Sequence, residues 1–461
     1  MAPGGGGGRV TAAVDAREHH LALFKAFAGN GAAGSPAWLR DLRGQAIARF
    51  AELGFPSTKQ EEWRFTSVAP IAETTFALSH GRDAPGVTAS ALAPYWIAGP
   101  GAIRLVFVNG TFAPALSAAA ELPRGVRAGS LRAALASDAE LAQRHLARHA
   151  DYQTSPFAAL NTAFLSDGAF VYVPAGVELE RPIEVVFAVA TDGEREALVA
   201  HPRTLVIVER GARATVLESY VAPQGGVYWT NAVTEIALAQ GARLEHYRIQ
   251  RESREAYQVA TTHATQDRDT VLRLHPVALG AALARHDLRT ELAGTGGELI
   301  LNGLYLLRGR QHADHHTVID HAQPHCASHE YFNGLLGEQA HGVFNGRIIV
   351  RPGAQRTDSK QTNNNLLLSA DARADSQPQL EIYADDVKCT HGSTVGPLDE
   401  TALYYLRSRG LAAETAAGML TYGFAAEILG RMEHAAVRDE LDRVIRGRLA
   451  DRTRGGRRGA T

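Results

Sequence analysis

The segment TLVIVERGA at residues 204–212 joins a short apolar run to a glycine-containing turn, and AVTEIALAQGA at residues 232–242 repeats this arrangement. From about Gly168 to Val395 the chain continues in the same way, without a long helical pattern. The other clear runs are residues 170–173, 298–305 and 347–350, and further breaks are Thr295-Gly296-Gly297 and Pro352-Gly353-Ala354. The spacing is too irregular for a strict short repeat. Many short strands in succession are typical of a sandwich, a barrel or a β-helix, and the pattern alone does not choose among them.

Helical patterns flank this region on both sides. We therefore predict four segments: a mostly helical N-terminal domain (1–155), a β core (156–396), a C-terminal helical domain (397–450) and a disordered, arginine- and glycine-rich tail (451–461). The more local predictions are a helix over 17–28, a helix capped at Ser35 and ending near Gly54, a strand and turn around Asn109-Gly110, a helix over about 131–149, and a helix capped at Asp399 and ended by Gly410.

Composition excludes several classes of protein. The chain has 461 residues and a formal net charge of −2, so no overall field attracts nucleic acid or an anionic membrane. No apolar run approaches the roughly 20 residues of a membrane helix. Two cysteines, Cys326 and Cys389, argue against a disulfide framework, and the N-terminus lacks a secretory pattern. We therefore expect a cytoplasmic protein with reduced thiols.

Common catalytic motifs are also missing. The sequence contains no phosphate-binding loop of the G-x-x-x-x-G-K-[ST] type, no G-x-S-x-G elbow and no pair of C-x-x-C motifs. We therefore expect a chain that does not hydrolyse nucleotides. A stand-alone β-helix enzyme acting on polysaccharide remains an alternative, with Asp385 and Asp386 as its acidic pair. Adjacent strand residues face opposite ways, which counts against that pair.

The segment DDVKCTHG at residues 385–392 offers ligands for iron. A cysteine thiolate and a neutral imidazole suit iron or a nascent cluster, and Cys389 and His391 share one side of a strand because they are two residues apart. Lys388 is placed to stabilise a thiolate. Lys360 and Lys388 are two of only four lysines in the chain. The alternative is a buried cysteine and a histidine at a strand end, and the segment alone leaves both readings open.

A second cluster holds six histidines within eighteen residues. They are His312, His315, His316, His321, His325 and His329, with Asp314 and Asp320 among them. On a strand, His312, Asp314 and His316 share one face and form a plausible metal-ligand set. The alternative, which we favour because the spacing follows no named metal site, is a hydrogen-bonded polar ladder along a sheet edge.

The segments TNNNLLL at residues 362–368 and PQLEIYADDVKCTHGSTVG at residues 378–396 resemble the SufB/SufD family of iron–sulfur cluster assembly proteins. Residues 61–64, 156–164, 345–347 and 405–410 also resemble that family. The resemblance implies a mainly β fold: a right-handed parallel β-helix with α-helical domains at both ends. Asn365 stands where a SufB member is expected to carry cysteine, so the resemblance is to the SufD side, with a SufB-like subunit as the alternative.

The resemblance also implies a function. The chain is expected to be a non-catalytic scaffold that contributes to cluster assembly and iron acquisition at an interface with SufB, while a SufC ABC ATPase hydrolyses ATP. It implies that His391 holds a transient cluster or iron shared with SufB, with Cys389 close by. Lys388, Asp386 and Lys360 are the supporting residues that we expect there. A reduced flavin in the complex and a homodimer of the isolated chain are further expectations.

The C-terminal helices are the expected docking surface for the ATPase. Their apolar residues exceed what a short terminal hairpin needs, and a leftover apolar patch often marks a partner site. The aromatic and arginine anchors that we expect there are Tyr404, Tyr405, Arg409 and Phe424. The alternative is a hairpin that only caps the β-helix against edge pairing.

Overall fold

The computed structural model describes residues 16–30, 35–82, 84, 86–118, 121–191 and 196–455. Its centre is a β-solenoid of about 7 turns over residues 183–396, with helices at both termini. The predicted mainly β fold is therefore confirmed, and of the three architectures that the pattern allowed, the structure has the solenoid.

The strands alternate between two sheets that face each other across an apolar core. In chain order they are β1 (Phe76–Leu78), β2 (Ile103–Val108), β3 (Thr111–Phe112), β4 (Arg127–Ser130), β5 (Gly168–Val173), β6 (Ile183–Ala188), β7 (Ala197–Ala200), β8 (Arg203–Val208), β9 (Arg213–Val221), β10 (Tyr228–Leu238), β11 (Arg243–Arg251), β12 (Tyr257–Gln266), β13 (Val271–Ala278), β14 (Leu283–Leu292), β15 (Glu298–Leu307), β16 (His312–His321), β17 (Ala327–Leu336), β18 (His341–Val350), β19 (Asp358–Leu367), β20 (Arg373–Ile382) and β21 (Lys388–Gly396). One sheet has the order β20-β18-β16-β14-β12-β10-β8-β5-β4, and the other has the order β21-β19-β17-β15-β13-β11-β9-β6-β2-β3.

The helices lie before and after the solenoid. In chain order they are α1 (Ala16–Asn30), α2 (Ala37–Leu53), α3 (Ala69–Ala72), α4 (Ala89–Leu92), α5 (Leu131–Ser137), α6 (Ala139–His145), α7 (Pro156–Ala163), α8 (Glu400–Ser408), α9 (Ala413–Leu429) and α10 (Ala435–Gly455). Short 3-10 helices occupy Glu61–Trp63, Ala93–Tyr95 and Pro114–Leu116. Within the part of the chain that the structure describes, no helix combines the length and the apolar character needed to cross a membrane.

The glycine-containing breaks of the sequence form one corner of the solenoid. Gly211, Gly241 and Gly296 have φ angles of 66°, 69° and 75°, where a residue without Cβ meets least strain. The turns stack, since the Gly211 N–H donates to the Gln240 carbonyl at 2.9 Å and the Gly241 N–H to the next turn at the same distance. Later turns place His325 and Arg356 in this left-handed region instead.

The described part of the N-terminal segment contains strands as well as helices. Strands β2 and β4 extend the two solenoid sheets, and residue 156 begins α7, not a strand. The helix predicted over 131–149 is two short helices that meet at Asp138. Ser35 does not cap α2: it precedes the cap position, Pro36, and its hydroxyl accepts a hydrogen bond from Arg43 at 2.8 Å. The predicted Asn109-Gly110 turn joins β2 and β3, and both of its residues have positive φ.

The C-terminal helices pack on the outer face of one sheet. Helices α9 and α10 cover outward-facing apolar residues of β9, β11, β13 and β15, including Ile249 and Leu304. Asp399 caps α8 as predicted, because its carboxylate accepts the backbone N–H groups of Thr401 and Ala402. Helix α10 continues to Gly455, beyond the predicted boundary at 450, and the rest of the predicted tail, 456–461, lies outside the described residues.

Candidate functional site

The last turn of the solenoid is open. Among the described residues, strand β20 pairs only with β18 and strand β21 only with β19, so each has one edge without a neighbouring strand there. Large apolar side chains are exposed at this end, including Tyr383 and Val395. This end contains the segment that the sequence singled out as a source of iron ligands.

Cys389 and His391 lie on the interior side of β21. Cys389 is opposite Ser359 and His391 is opposite Gln361, and both of these β19 side chains are buried inside the solenoid. Cys389 is half-buried against the solenoid core, whereas His391 is exposed at the open end. The alternation predicted for this pair therefore holds, and their common side faces the core. Among the described residues, no group of three or more histidine, cysteine or acidic side chains is arranged to hold a metal ion.

The supporting residues lie away from this face. Lys388 is opposite Asp358 on the outer side of the strand pair, and Lys360 is opposite Thr390 on that same outer side. Asp386 lies in the preceding turn, where its carboxylate is 3.6 Å from the Arg356 guanidinium. The structure thus brings together Cys389 and His391 but none of the three residues predicted to support them.

The thiol of Cys389 has a raised pKa. Burial is the main cause, the charge of Asp358 adds to it, and a hydrogen bond from the Ser359 N–H opposes it. Lys388 lies on the outer side of β21, opposite Asp358, so its support of the thiolate stays a prediction. Both Cys389 and Cys326 are free thiols.

Two columns of buried polar side chains extend into the solenoid, one from Cys389 and one from His391. The sequence did not predict them. Behind Cys389, Ser359 Oγ is 2.7 Å from Ser328 Oγ, which is 2.8 Å from His321 Nε2. Behind His391, the Gln361 amide donates to the carboxyl of Glu330 at 2.6 Å. Burial raises the pKa of Glu330 to about 7. Only the strand register could have revealed these two columns, because their members are far apart in the sequence.

Two family models match consecutive parts of the chain. The SufBD protein N-terminal region matches residues 14–185, and the SufBD core domain of SUF system FeS cluster assembly matches residues 189–424. The chain belongs to the SufBD family. SufBD family proteins function in iron–sulfur cluster assembly, so the predicted family is confirmed.

Relatives match over most of their length. An iron–sulfur cluster assembly SufBD family protein of Synechocystis is 35% identical over 401 residues, which cover 85% of this chain and 87% of the relative. The iron–sulfur cluster assembly protein SufD of Escherichia coli is 31% identical over 421 residues, 90% of this chain and 93% of the relative. SufD of Bacillus subtilis is 27% identical over 420 residues, 89% of this chain and 94% of the relative.

The histidine cluster of this SufBD chain divides between the two sides of β16. His312, Asp314 and His316 share the outer face as predicted. Asp314 accepts hydrogen bonds from Arg285 at 2.8 Å and from Thr66 at 2.5 Å, and His316 Nε2 lies 3.1 Å from its other oxygen. This is the hydrogen-bonded reading that the sequence favoured, but β16 lies inside its sheet between β14 and β18, and not at an edge.

The other histidines have separate environments. His315 packs inside the solenoid 5.1 Å from the Tyr305 ring, and burial lowers its pKa to about 4. His321 is also interior, whereas His325 lies in a corner turn and His329 is exposed on β17. The six histidines therefore do not form one site.

The residues predicted to bind a partner divide into two groups. Tyr404 and Tyr405 of α8 are 74% and 56% exposed, and the Arg409 guanidinium lies 5.2 Å from the Tyr405 ring centre. Phe424 packs partly against the solenoid, and its carbonyl accepts a hydrogen bond from Asn333. The exposed apolar surface of the C-terminal helices therefore includes Tyr404 and Tyr405 of α8 and Met419 of α9, whereas Phe424 is partly covered.

The acidic pair of the enzyme alternative has separate partners. Asp385 accepts a hydrogen bond from the Gln355 amide at 2.9 Å, whereas Asp386 faces Arg356. Both residues are exposed in a turn. This arrangement does not favour a pair of carboxyl groups acting on one substrate.

Proposed function

We propose that the chain is a SufD-like, non-catalytic scaffold of a SUF complex. In this proposal Cys389 and His391 bind iron or a transient cluster, which is cargo, at an interface with SufB. The observation that carries the proposal is the position of these two side chains, side by side on the interior face of a strand whose outer edge pairs with no other described strand. A cluster usually takes four protein ligands, so the remaining ligands would come from SufB.

The open end of the solenoid supports a β-helical partner. Edge strands present unpaired N–H and C=O groups, and a second sheet edge can satisfy them. A homologous SufB solenoid could add a strand to β20 and to β21 at once. A homodimer of the isolated chain would use the same two edges, and its mass in solution tests that expectation.

The exposed surface of α8 supports ATPase docking. None of the α8 residues is buried against the rest of the chain, although the helix is strongly amphipathic. Tyr404, Tyr405 and Arg409 provide the side-chain types that dominate interfaces. We assign this surface to SufC, which would supply the ATP hydrolysis of the complex.

A SufD-like role agrees better with the structure than a SufB-like role does. Asn365, which stands where a SufB member is expected to carry cysteine, is buried and bonded to the Tyr305 hydroxyl and the Asn363 amide oxygen. It has no free thiol to offer. Within the proposed assembly we expect the chain in the cytoplasm, and the absorption spectrum of the purified complex tests the expected reduced flavin.

The test is co-expression of the chain with SufB and SufC. We expect all three proteins to co-purify, and we expect His391→Ala to preserve the complex while it abolishes cluster formation, measured as iron and sulfide per complex. Thr390→Ala is the matched control, because this neighbour lies on the opposite face of β21. Full cluster formation with His391→Ala, or failure of the three wild-type proteins to associate, would contradict the proposed function.

A further inference from the structure

Side chains at matching interior positions of β13, β15, β17, β19 and β21 form a column that ends at His391. Its last three members, toward the open end, are polar. From β13 outward its members are Leu274, Leu301, Glu330, Gln361 and His391, and the buried His246 of β11 precedes Leu274. Glu330 and Gln361 are 1% and 0% exposed, as deeply buried as the two leucines. A buried carboxyl group and a buried amide cost free energy at positions where a leucine column could continue. Each of them therefore needs a hydrogen-bond partner to offset this cost.

The hydrogen bond between the two polar residues fixes the direction of the amide. Gln361 Nε2 donates to Glu330 Oε2 at 2.6 Å. The other end of the amide, Gln361 Oε1, is buried and has no hydrogen-bond partner among the described residues. A buried oxygen that accepts no hydrogen bond lowers the stability of the fold unless a donor reaches it.

A glycine makes room for this amide. A Cβ atom at Gly346 would lie only 2.2 Å from Gln361 Nε2 and 2.8 Å from its Cδ. Glycine at this strand position therefore allows the amide to lie across the interior. The position of the Gln361 amide therefore depends on its hydrogen bond to Glu330 and on the space that Gly346 leaves.

We propose that Gln361, oriented by Glu330, accepts a hydrogen bond from one ring N–H of His391 and thereby leaves the other ring nitrogen to bind iron. The two residues are register partners on neighbouring strands and face the same side, which puts their side chains within reach. Histidine ligands usually donate their second N–H to a fixed acceptor, which sets the tautomer and the ring orientation. Gln361 and Glu330 are thus positioning residues, and the inference rests on the proposed role of His391.

Three variants separate positioning from packing. Gln361→Met keeps an unbranched side chain of similar length but removes the acceptor for His391. Glu330→Gln is the matched control, because its amide oxygen can still accept from Gln361. The double variant Glu330→Leu/Gln361→Leu continues the column of Leu274 and Leu301, so it should remain folded without any polar group behind His391.

The first measurement uses the isolated chain, labelled with ¹⁵N at the histidine rings. The His391 signals are assigned by their loss in His391→Ala. In the wild type we expect one ring tautomer to dominate, and in Gln361→Met and in the double variant we expect its excess to fall about fivefold, as the loss of one hydrogen bond allows. Glu330→Gln should leave the ratio unchanged. An unchanged ratio in Gln361→Met would overturn the inference.

The second measurement is cluster formation by the complex with SufB and SufC. We expect about a tenfold or greater loss with Gln361→Met and with the double variant, as is usual for partners of ligating residues, and near-normal formation with Glu330→Gln. Near-normal formation in the folded double variant would also overturn the inference. If His391→Ala itself keeps full cluster formation, the proposed function fails, while the tautomer ratio still decides whether Gln361 positions the ring.

Discussion

Arg285 is the side chain whose loss should most clearly disrupt the histidine cluster. Its guanidinium donates to Asp314 at 2.8 Å, to Asp287 at 2.7 Å and to the carbonyl oxygen of Glu62 at 2.7 Å. It also lies 3.7 Å from the centre of the Trp63 ring. One arginine thus joins strand β14 and strand β16 to the N-terminal segment. We consider the change Arg285→Met, which keeps the apolar stem and removes the charge.

The expected loss is about 4 kcal/mol in the free energy of unfolding. Asp314 is 1% exposed, and removing one partner of a buried ion pair typically costs about 3–5 kcal/mol because the other charge stays buried. Arg289→Met is the matched control on the same strand. Arg289 is half exposed and lies 3.9 Å from Asp320, so its loss should cost less than about 1 kcal/mol.

The loss should also depend on pH. Burial raises the pKa of Asp314, but Arg285 and then His316 lower it by more, so the pKa lies below its ordinary value of 3.8. The stability that comes from this ionised carboxylate is present above pH 3.8 and is lost as pH falls through the lowered pKa. Without Arg285, burial raises the pKa, so the difference between variant and wild type should be largest near pH 7 and smaller near pH 4.

Urea denaturation followed by tryptophan fluorescence measures these differences. Trp63 lies against Arg285, so the fluorescence reports on the surroundings of this arginine as well as on unfolding of the chain. The reasoning is refuted if Arg285→Met loses no more stability than Arg289→Met. It is also refuted if a chelator destabilises the wild type as much as the substitution does, because the cluster would then be a metal site.

Three further outcomes follow from the proposed function. Cys389→Ala should lower cluster formation less than His391→Ala does, because a thiolate of SufB can replace a half-buried thiol with a raised pKa; equal losses would contradict this. Tyr404→Ala with Tyr405→Ala should weaken SufC binding at least about tenfold in a titration and leave SufB binding unchanged, as expected of exposed aromatic anchors. The purified chain should hydrolyse no ATP and should be colourless, and steady ATPase activity in the absence of SufC would contradict the non-catalytic role.

The alternation of apolar residues predicted the strands but not their arrangement. In a solenoid each strand pairs with one a full turn later, and that offset varies: Tyr257 lies opposite Leu283, 26 residues on, whereas His341 lies opposite Arg373, 32 residues on. Turns of unequal length hide the repeat from any fixed period. The resemblance to the SufB/SufD family supplied the β-helix, and the structure confirms it.

The same uneven turns limited prediction of the site. Within one strand, the spacing of Cys389 and His391 placed them on one side, and the register bears this out. That spacing could not connect His391 to Gln361 and Glu330, which lie one and two turns away. The same alternation places Lys388 on the opposite side of β21 from Cys389, so its supporting role stays a prediction.

The two ends of the solenoid differ in a way that bears on partner binding. At the N-terminal end, the sheets finish in the short antiparallel strands β3 and β4, which are two and four residues long, and short outer strands discourage edge-to-edge association. At the C-terminal end, they finish in β20 and β21, which are ten and nine residues long. A long unpaired edge is an aggregation risk unless a partner covers it. The candidate ligands and the polar column behind His391 lie at this same end, so one partner would both protect the edges and complete the site.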